Sequence, residues 1–362
     1  MKRICKFSTL ILVSALLVSS SFAQGKAKGK VAPKAKPAPV KPEKKFSPKD
    51  PPVKGEKGAI LVNGKAYSKA SEVLVKGGST KGAAVEHGDS SLLDDVPNVD
   101  SFYIGKYEVT QEFYEAVLAG ETVSTKSGKI FELDAKPSSS LEKSLVKGET
   151  QKYRPVENVT WYDAVNFCNV LSKKTGLEPV YKIEINKIEE TKVGNYIEKH
   201  IMDATVSINK NANGYRLPSE PEWEFAARGG DASAPDWSFA FSGSQSKTYK
   251  KTDMSSPDLD KVAWYVYNLT TGKTGKEKVA KDTPGYCTHE VGLKAANKLG
   301  LYDMSGNVYE WCYDLGEDDG ERIVRGGNYC SSARAATVTA WDDAPMTQHH
   351  SGVGFRIARN AK

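Results

Sequence analysis

The feature that most constrains this chain is a long C-terminal stretch, Gly326 to Phe355, with patterned ends and almost no periodicity between them. It opens with Gly326-Gly327 and closes with Gly352 to Phe355. Because no helix or strand repeat runs through it, the stretch is predicted to be irregular, with its two ends belonging to a scaffold. Long irregular segments in compact domains are usually functional. The alternative interpretation is a C-terminal loop without a role.

The composition of this stretch favours a recognition surface. Small polar groups supply adaptable hydrogen bonds, and a large aromatic supplies rigid contact area. The large aromatic in the middle is Trp341, which is followed by Asp342 and Asp343. Trp341 is interpreted either as the anchor of a binding face or as a core residue like Trp311 and Trp223.

The N-terminus has the pattern of a secretory signal peptide, predicted at residues 1–23. A charged start precedes an apolar run from Leu10 to Leu17 and a small-x-small cleavage site at Ser21-Phe22-Ala23. The apolar run is too short to span a membrane as a helix, and an uncleaved anchor is the alternative. The signal predicts an extracytoplasmic location, whether secreted, periplasmic or at the cell surface.

Residues 24–58 form a lysine- and proline-rich tract that is predicted to be a disordered linker. The tract holds eleven lysines against Glu43, Asp50 and Glu56. The whole chain is only +6 at pH 7, so residues 59–362 are net acidic and give no indication of a basic nucleic-acid face. Attachment of the tract to an anionic cell-envelope polymer is the alternative interpretation.

Alternation and turn signals predict several short strands. An Asn-Gly pair between two apolar runs indicates a β-hairpin with a type I′ turn, and residues 179–210 alternate as antiparallel strands do. The predicted strand regions are the hairpin 59–78 with its turn at Asn63-Gly64, the strand 101–109 with a bulge at Gly105, the pair within 179–210, and Ala263 to Tyr267.

Capping signals predict three helices. Thr110 and Thr160 are predicted N-caps, and Ser219 with Glu222 forms a capping box. Gly176 is predicted to end the second helix. Because strands and helices do not alternate along the chain, the predicted fold class is α+β.

Four cysteines follow the predicted signal segment, and none lies in a CxxC pair or at metal-ligand spacing from a histidine. An extracytoplasmic compartment permits disulfides, but the sequence leaves every pairing open. Cys168 lies on the apolar stripe of the second predicted helix and is predicted to be a buried hydrophobe. The four are Cys168, Cys287, Cys312 and Cys330.

Six patterned stretches follow one another along the chain: YIGKYEVTQEFY (103–114), RPVENVTWYDAVNFC (154–168), NGYRLPSEPEWEFAARGG (213–230), GLYDMSGNVYEW (300–311), RIVRGGNY (322–329) and GVGFRIAR (352–359). As an ordered set they resemble the sulfatase-modifying, formylglycine-generating enzyme family. That resemblance implies an elaborated C-type lectin fold over residues 59–362, with short antiparallel strands, few helices and much irregular loop.

The family resemblance also implies a calcium site within GLYDMSGNVYEW. Carried over by position, its ligands are the side chains of Asp303 and Glu310 and the carbonyls of Gly306 and Val308. A hard cation takes several oxygens, and a tight turn offers carboxylate and backbone oxygens together. The alternative is that the two carboxylates satisfy backbone groups around a buried turn.

The same resemblance implies a copper-binding cysteine pair, spaced five residues apart, beyond the last Gly-Gly. In this chain those positions hold Ser331 and Ala336, and Cys330 lies one residue early. Thiolates suit Cu(I), whereas a hydroxyl and a methyl do not. Copper is therefore not expected, and the chain is predicted not to be an enzyme, because the site and not the fold carries an activity. The alternative function is a copper-dependent oxidase that converts sulfatase cysteine to formylglycine.

A narrower resemblance covers the end of the chain, which is similar to the variable region of proteins that retroelements diversify on this same lectin fold. In such proteins, adenine-directed mutagenesis rewrites scattered codons between unchanged scaffold residues. The resemblance implies a variable ligand-binding region over residues 328–351. Its predicted contact residues are Tyr329, Cys330, Ser331, Ser332, Thr337, Thr339, Trp341, Asp342, Asp343, His349, His350 and Ser351.

The predicted function is therefore a secreted or surface-displayed protein that binds a protein or glycan ligand without catalysis, as a monomer. A cell-envelope protein acting through its lysine- and proline-rich tail is a third hypothesis. His349 and His350 with Asp342 or Asp343 offer metal-ligating atoms, but without a helper at defined spacing they favour a polar contact surface. Arg334 and Arg356 are predicted to pair with local carboxylates or carbonyls, and anion binding is the alternative interpretation.

Overall fold

The computed structural model describes residues 57–80, 92–140, 148–245, 249–250, 252–281 and 283–361. The predicted signal segment 1–23 and nearly all of the predicted linker 24–58 lie outside the described residues. No helix in the described ranges is long and apolar enough to cross a membrane.

In these ranges the chain forms short helices and strands, and the strands make two four-stranded sheets and three two-stranded ribbons. The helices are α1 Gln111–Leu118, α2 Trp161–Lys174 and α3 Glu220–Ala227. The strands are β1 Ala59–Val62, β2 Lys65–Val75, β3 Gly78–Ser79, β4 Asn98–Val99, β5 Phe102–Gly105, β6 Thr122–Ser124, β7 Ile130–Glu132, β8 Tyr181–Val193, β9 Tyr196–Ile208, β10 Tyr309–Leu315, β11 Glu321–Arg325, β12 Trp341–Pro345, β13 Val353–Gly354 and β14 Ala358–Asn360. The predicted α+β class is confirmed.

The two larger sheets bring distant parts of the chain together. The first has the order β1-β2-β5-β14, in which β14 lies antiparallel to β5 with Ala358 opposite Ile104. The second has the order β12-β11-β10-β13, in which β10 and β13 run parallel and the other neighbours antiparallel. Because β11 leads into the stretch Gly326 to Phe355 and β13 lies near its end, the second sheet holds both ends of that stretch.

Both predicted strand pairs form. The turn residues of the first hairpin have positive φ, 51° at Asn63 and 76° at Gly64, as a type I′ turn requires. Strands β8 and β9 pair antiparallel from Tyr181 opposite Ile208 to their tip. The strand predicted at 101–109 ends at Gly105, where an added Cβ would lie 3.0 Å from the Tyr107 carbonyl oxygen; Gly105 thus marks a close turn and not a bulge.

The prediction of a strand at Ala263 to Tyr267 was wrong. The backbone there forms turns, with the Ala263 amide donating to the Leu259 carbonyl. The Tyr265 amide donates to Asn268 Oδ1 at 2.9 Å. An asparagine side chain that bonds nearby backbone offers an alternative to a strand ladder, so the buried aromatic run is folded into turns.

The three helices begin where their caps were predicted. Thr110 Oγ1 accepts from the Phe113 amide, and Thr160 and Ser219 each form a capping box with the residue three positions on. Gly176, at φ 75°, follows α2. Each cap satisfies amides that the first helical turn leaves without partners.

Aromatic side chains join the helices to the C-terminal strands. Tyr114 of α1 and Phe167 of α2 stack with ring centroids 5.1 Å apart. Phe355 packs edge-on against Phe167 at 5.3 Å. Because Phe355 immediately follows β13, this cluster fixes the chain at the point where the stretch Gly326 to Phe355 ends.

That stretch is more regular than predicted. It contains a 3-10 turn, Ala333–Ala336, and the strand β12. Strand β12 pairs with β11 residue by residue, from Trp341 opposite Arg325 to Pro345 opposite Glu321. Its sequence WDDAP has little strand propensity, so the partner strand and not the local sequence imposes the conformation.

Replacing Phe355 by alanine removes a fully buried ring. We expect the free energy of unfolding to fall by about 3–5 kcal/mol, because a cavity remains between α1 and α2. Denaturant unfolding measures this loss. Ile130→Ala is the matched control, since that side chain is 66% exposed, and it should change stability by no more than about 0.5 kcal/mol. Equal losses for both variants would contradict the assigned role of Phe355.

Candidate binding face and its buried anchors

The binding segment, defined here as residues 328–351, leaves β11 through two glycines that must both turn sharply. Gly326 and Gly327 have φ of 92° and 72°, a region that side chains with a Cβ rarely adopt. A Cβ at Gly327 would lie 2.8 Å from the Ala335 carbonyl oxygen. The pair therefore lets the start of the segment fold back against its own 3-10 turn.

Arg325 holds the middle of the segment from the protein interior. Its fully buried guanidinium donates from Nη2 to Glu224 Oε2 at 2.5 Å and to the Val338 carbonyl at 2.6 Å. From Nη1 it donates to the carbonyls of Thr339 at 3.1 Å and Ala340 at 2.9 Å. One cation thus fixes three consecutive carbonyls of the segment, and its charge is balanced by α3.

Asn328 anchors the start of the segment to its end. Its Oδ1 accepts from the amide of Cys330 at 3.1 Å, from the thiol of Cys330 at 3.1 Å and from the hydroxyl of Ser331 at 2.8 Å. Its Nδ2 donates to the Gly352 carbonyl at 3.2 Å. Cys330 and Ser331, both predicted contact residues, are therefore engaged in holding the loop together.

Three predicted contact residues are buried, which corrects the expectation that they belong to an exposed surface. Tyr329 is 7% exposed and its hydroxyl meets the Ser351 hydroxyl at 3.0 Å. Thr337 and Thr339 are 4% and 2% exposed. Thr337 Oγ1 donates to the Arg334 carbonyl and accepts from the Ala340 amide. The Thr337 hydroxyl thus closes a local turn, and Thr337 and Thr339 belong to the buried side of the segment.

The remaining predicted contact residues keep some access to solvent. Asp342 is exposed, and Ser332, Asp343, His349 and His350 are half-buried. Asp343 Oδ2 accepts from the Glu317 amide at 2.9 Å, so one of the two neighbouring aspartates is tied to the loop that joins β10 and β11.

Trp341 lies between the two predicted roles. It is half-buried and packs against the core cluster that contains Trp223 and Ile323. In the sheet it is opposite Arg325. One part of the indole therefore contacts the scaffold while another part is accessible to solvent, which is how an amphipathic anchor is placed.

The sequence analysis favoured a polar contact surface over a metal site at His349 and His350 with Asp342 or Asp343, and the two histidines have different partners in the structure. His350 Nδ1 accepts from the Gly352 amide at 3.1 Å. His349 instead stacks on His200, with ring centroids 4.1 Å apart. Among the described residues, the group whose ligand atoms come close enough for a metal is Glu198, His200 and His349. No sequence pattern predicts this group, because two of its members lie on β9 and the third lies far along the chain in the binding segment.

Arg356, which follows the binding segment, forms a buried ion pair with Glu310. Arg356 donates from Nε to Glu310 Oε2 and from Nη2 to Glu310 Oε1, both at 2.6 Å. Trp223 Nε1 donates to the same Oε2 at 2.6 Å. Arg356 also donates to the carbonyls of Gly105 and Tyr302, each at 2.9 Å. The prediction that Arg356 pairs with local carboxylates and carbonyls is confirmed.

Two further carboxylates lie near this pair. Glu108 accepts from Asn307 Nδ2 at 2.6 Å and from the Val308 amide at 3.1 Å. Burial and the charges of Asp303 and Glu310 raise the pKa of Glu108 well above its usual value. Burial raises the pKa of Asp303 to about 6. Three buried carboxylates thus share the field of one guanidinium, an excess of acidic groups that a cation or a proton would relieve.

The predicted calcium ligands fit a cation unequally. Asp303 Oδ2 accepts from the Gly292 amide at 2.7 Å, whereas Oδ1 is buried with no hydrogen-bond partner in the part of the chain that the structure describes. Both oxygens of Glu310 already accept from Arg356, and one also from Trp223. Asp303 therefore fits the role of ligand well, while Glu310 would share its oxygens with a guanidinium.

No disulfide joins the cysteines of the described ranges. Cys168, Cys287 and Cys312 are buried, and Cys330 is half-buried. Burial raises the pKa of Cys330. Ala336, at the second position of the copper pair implied by the family, is fully buried in the 3-10 turn.

The chain is similar to a known protein family and to several known proteins. Residues 59–361 match the model of the sulfatase-modifying factor enzyme 1-like domain. The chain is 36% identical over 276 residues to chaperone protein LppX of Paenibacillus barcinonensis, covering 74% of this chain and 81% of that protein. It is 30% identical over 156 residues to inactive C-alpha-formylglycine-generating enzyme 2 of Mus musculus, covering 41% of this chain and 44% of that protein.

Among solved structures, Treponema denticola variable protein 1 superimposes with a TM-score of 0.54 at 30% identity, covering 82% of this chain and 98% of that one. This likeness confirms the predicted elaborated C-type lectin fold of the formylglycine-generating enzyme type and the narrower resemblance to a variable protein. The chain belongs to the sulfatase-modifying factor enzyme 1-like family.

Proposed function

We propose that this chain is a non-catalytic binding protein, secreted or displayed at the cell surface, whose ligand contacts the binding segment. The observation that carries the proposal is that one set of residues holds the backbone of the segment while another set keeps accessible side chains. Arg325 and Asn328 fix its backbone from inside, while Ser332, Asp342 and His350 retain accessible side chains. A preorganised backbone lowers the entropy that binding costs, and its outward positions accept different side chains without loss of the fold.

Two of the similar proteins support this proposal. The solved structure that resembles the chain is called a variable protein, which agrees with a segment whose outward residues differ between copies. The bacterial relative is called a chaperone protein, which favours a polypeptide over a glycan as the ligand. The half-buried Trp341 and the exposed Asp342 offer apolar and acidic contacts that suit a polypeptide.

The absence of catalysis is part of the proposal. The positions that correspond to the family's copper ligands hold Ser331 and Ala336, and the neighbouring Cys330 thiol donates to Asn328. A single thiol of raised pKa is a poor Cu(I) site. The mouse relative is called an inactive formylglycine-generating enzyme, which agrees with loss of the activity on this scaffold.

Calcium is proposed as a structural ion held by Asp303, with the Gly306 and Val308 carbonyls and Glu310 as the further ligands implied by the family. In this position the ion would offset the excess of buried carboxylates around Arg356. It would stabilise the turn beneath the binding segment and would take no part in contacting the ligand.

Trp341→Ala tests where the binding energy lies. Peptide and glycan arrays probed with the full chain identify a ligand, and its affinity is then measured for the wild type and the variant. We expect the substitution to cost about 2 kcal/mol or more of affinity, the usual scale for an aromatic anchor. The melting temperature of the same samples should fall less than for a fully buried tryptophan, whose truncation costs about 3–5 kcal/mol.

Trp264→Ala is the control, because that tryptophan is half-buried and lies outside the binding segment; it should leave affinity per folded molecule unchanged. If Trp341→Ala lowers only the melting temperature and leaves affinity intact, the binding role of Trp341 is wrong.

Incubation with copper and a sulfatase-derived cysteine peptide tests the absence of catalysis. We expect no aldehyde product by mass spectrometry, because this chain lacks the second thiol of the pair. An active member of the family serves as the positive control. Aldehyde formation that disappears with Cys330→Ser would establish an oxidase and refute the proposal.

Calcium removal tests the structural ion. A ligand that binds only the folded state stabilises it by mass action, so a chelator should lower the melting temperature and added calcium should restore it. Asp303→Asn should abolish this response, whereas Asp319→Asn, a change at an exposed carboxylate, should preserve it. A melting temperature that is the same with and without calcium would leave the carboxylates a purely structural role.

A further inference from the structure

Glu198, His200 and His349 bring three metal-ligating side chains to one place, where the β8–β9 hairpin meets the end of the binding segment. Glu198 and His200 lie two residues apart on β9, so their side chains leave the same face of the strand. One ligand atom from each of the three residues lies within 4.8 Å of the other two. The topology therefore assembles the group from a strand and a distant loop.

The contacts of His200 leave its Nε2 with a lone pair that a metal ion could accept. Its Nδ1 lies 2.9 Å from Asp163 Oδ2, and Asp163 is itself held by the Ile201 amide at 3.0 Å and by the capping box of α2. A carboxylate at Nδ1 assigns the proton to that nitrogen and leaves Nε2 as the lone pair. His200 is 3% exposed, and in the described residues its Nε2 has no hydrogen-bond partner.

His349 is held in the same way. Its Nδ1 lies 3.0 Å from Asn158 Oδ1, and because that amide oxygen only accepts, the proton lies on Nδ1 and the lone pair on Nε2. The carboxylate of Glu198 lies 3.9 Å from His200 Nε2. Two imidazoles and a carboxylate thus lie close together, and none of the three directs a donor at the others in this tautomeric state.

We propose that Glu198, His200 and His349 bind one divalent transition-metal ion of the zinc class. Two imidazoles and a carboxylate are a ligand set that Zn²⁺ takes, and they leave a fourth position open. Asp163 and Asn158 supply the outer contacts that orient metal-bound histidines. The ion would join the end of the binding segment to the β8–β9 hairpin.

The ion-free arrangement differs from the bound one in one respect. The rings of His200 and His349 stack with an interplanar angle of 17°, so their lone pairs run nearly parallel. Binding requires the rings to turn until both Nε2 atoms point at the ion. His200 is buried and held by Asp163, whereas His349 is half-buried on the loop between β12 and β13. The adjustment therefore falls to the ring of His349, with its Nδ1 contact to Asn158 kept.

The rival explanation is a protonated His200 held between two carboxylates. Burial opposes its protonation, but the hydrogen bond and charge of Asp163 outweigh burial and raise its pKa. In that case Nε2 carries a proton directed at Glu198, and no metal is required. Metal titration separates the two, because only the metal site binds Zn²⁺ or Co²⁺ with a fixed stoichiometry.

The test is calorimetric titration of the full chain, with any affinity tag removed, with Zn²⁺, together with Co²⁺ absorption spectra. We expect one equivalent of metal and the visible bands of a four-coordinate Co²⁺ ion. Glu198→Gln and His349→Gln should each weaken binding by at least about tenfold, the lower bound for disturbing a metal site even in its outer contacts. Both side chains are partly exposed, so both variants should fold, and circular dichroism checks this.

His350→Gln and Cys330→Ser are matched controls, since each removes another ligand-type side chain from the same segment. Both should bind metal with wild-type affinity. The proposal is overturned if the wild type binds no stoichiometric metal, if Glu198→Gln and His349→Gln bind as well as the wild type, or if either control loses binding equally. These outcomes do not depend on identifying the ligand of the binding segment.

Discussion

The buried ion pair of Glu310 and Arg356 is the interaction on which the C-terminal half of the structure depends. Both side chains are fully buried, and two hydrogen bonds join them. Through Arg356 the pair reaches the carbonyls of Gly105 and Tyr302, and through Glu310 it reaches Trp223 of α3. Removing one partner of a buried pair typically costs about 3–5 kcal/mol, because the other charge is left uncompensated. Arg356 thus joins Gly105 of β5, in the first sheet, to Glu310 of β10, in the second.

A second buried arginine gives the binding segment its other support. Arg325 precedes the segment and Arg356 follows it, and each is neutralised by carboxylates of the scaffold. Arg325 also donates from Nη1 and Nη2 to carbonyls inside the segment. The segment is therefore held by its backbone and by its ends. This arrangement lets outward side chains change without altering the charges that fix the chain, and it is the physical basis for proposing a binding face there.

Local chemistry made part of this predictable from the sequence. The three helix caps and the Asn63-Gly64 turn depend on residues within a few positions of each other, and the sequence identified them correctly. Strand β12 could not be predicted, because its conformation comes from pairing with β11. The burial of Thr337 and Thr339 could not be predicted either, because it also depends on contacts between separate parts of the chain. Arg325 binds the carbonyls of residues 338–340 and is itself paired with Glu224 of α3.

The site was predictable only in outline. The ordered motifs located the binding segment and the acidic turn, but they did not indicate which side chains face solvent. Glu108 joins Asp303 and Glu310 only in three dimensions, and His200 meets His349 only after β8 and β9 pair. Contacts of this kind leave no local periodicity, so a pattern of spacing in the sequence cannot reveal them.

The measurement that tests the division between fixed backbone and variable surface most directly is denaturant unfolding of two variants. One carries Ser332→Asn, Asp342→Asn and His350→Asn together, and the other carries Asn328→Ala alone. Asp342 is exposed and Ser332 and His350 are half-buried. Surface substitutions usually change stability by within about 0.5 kcal/mol each, so the triple variant should lose no more than about 1.5 kcal/mol. Asn328→Ala should lose about 1–3 kcal/mol, because it leaves buried groups without partners. A triple variant that unfolds while Asn328→Ala remains as stable as the wild type would contradict the account.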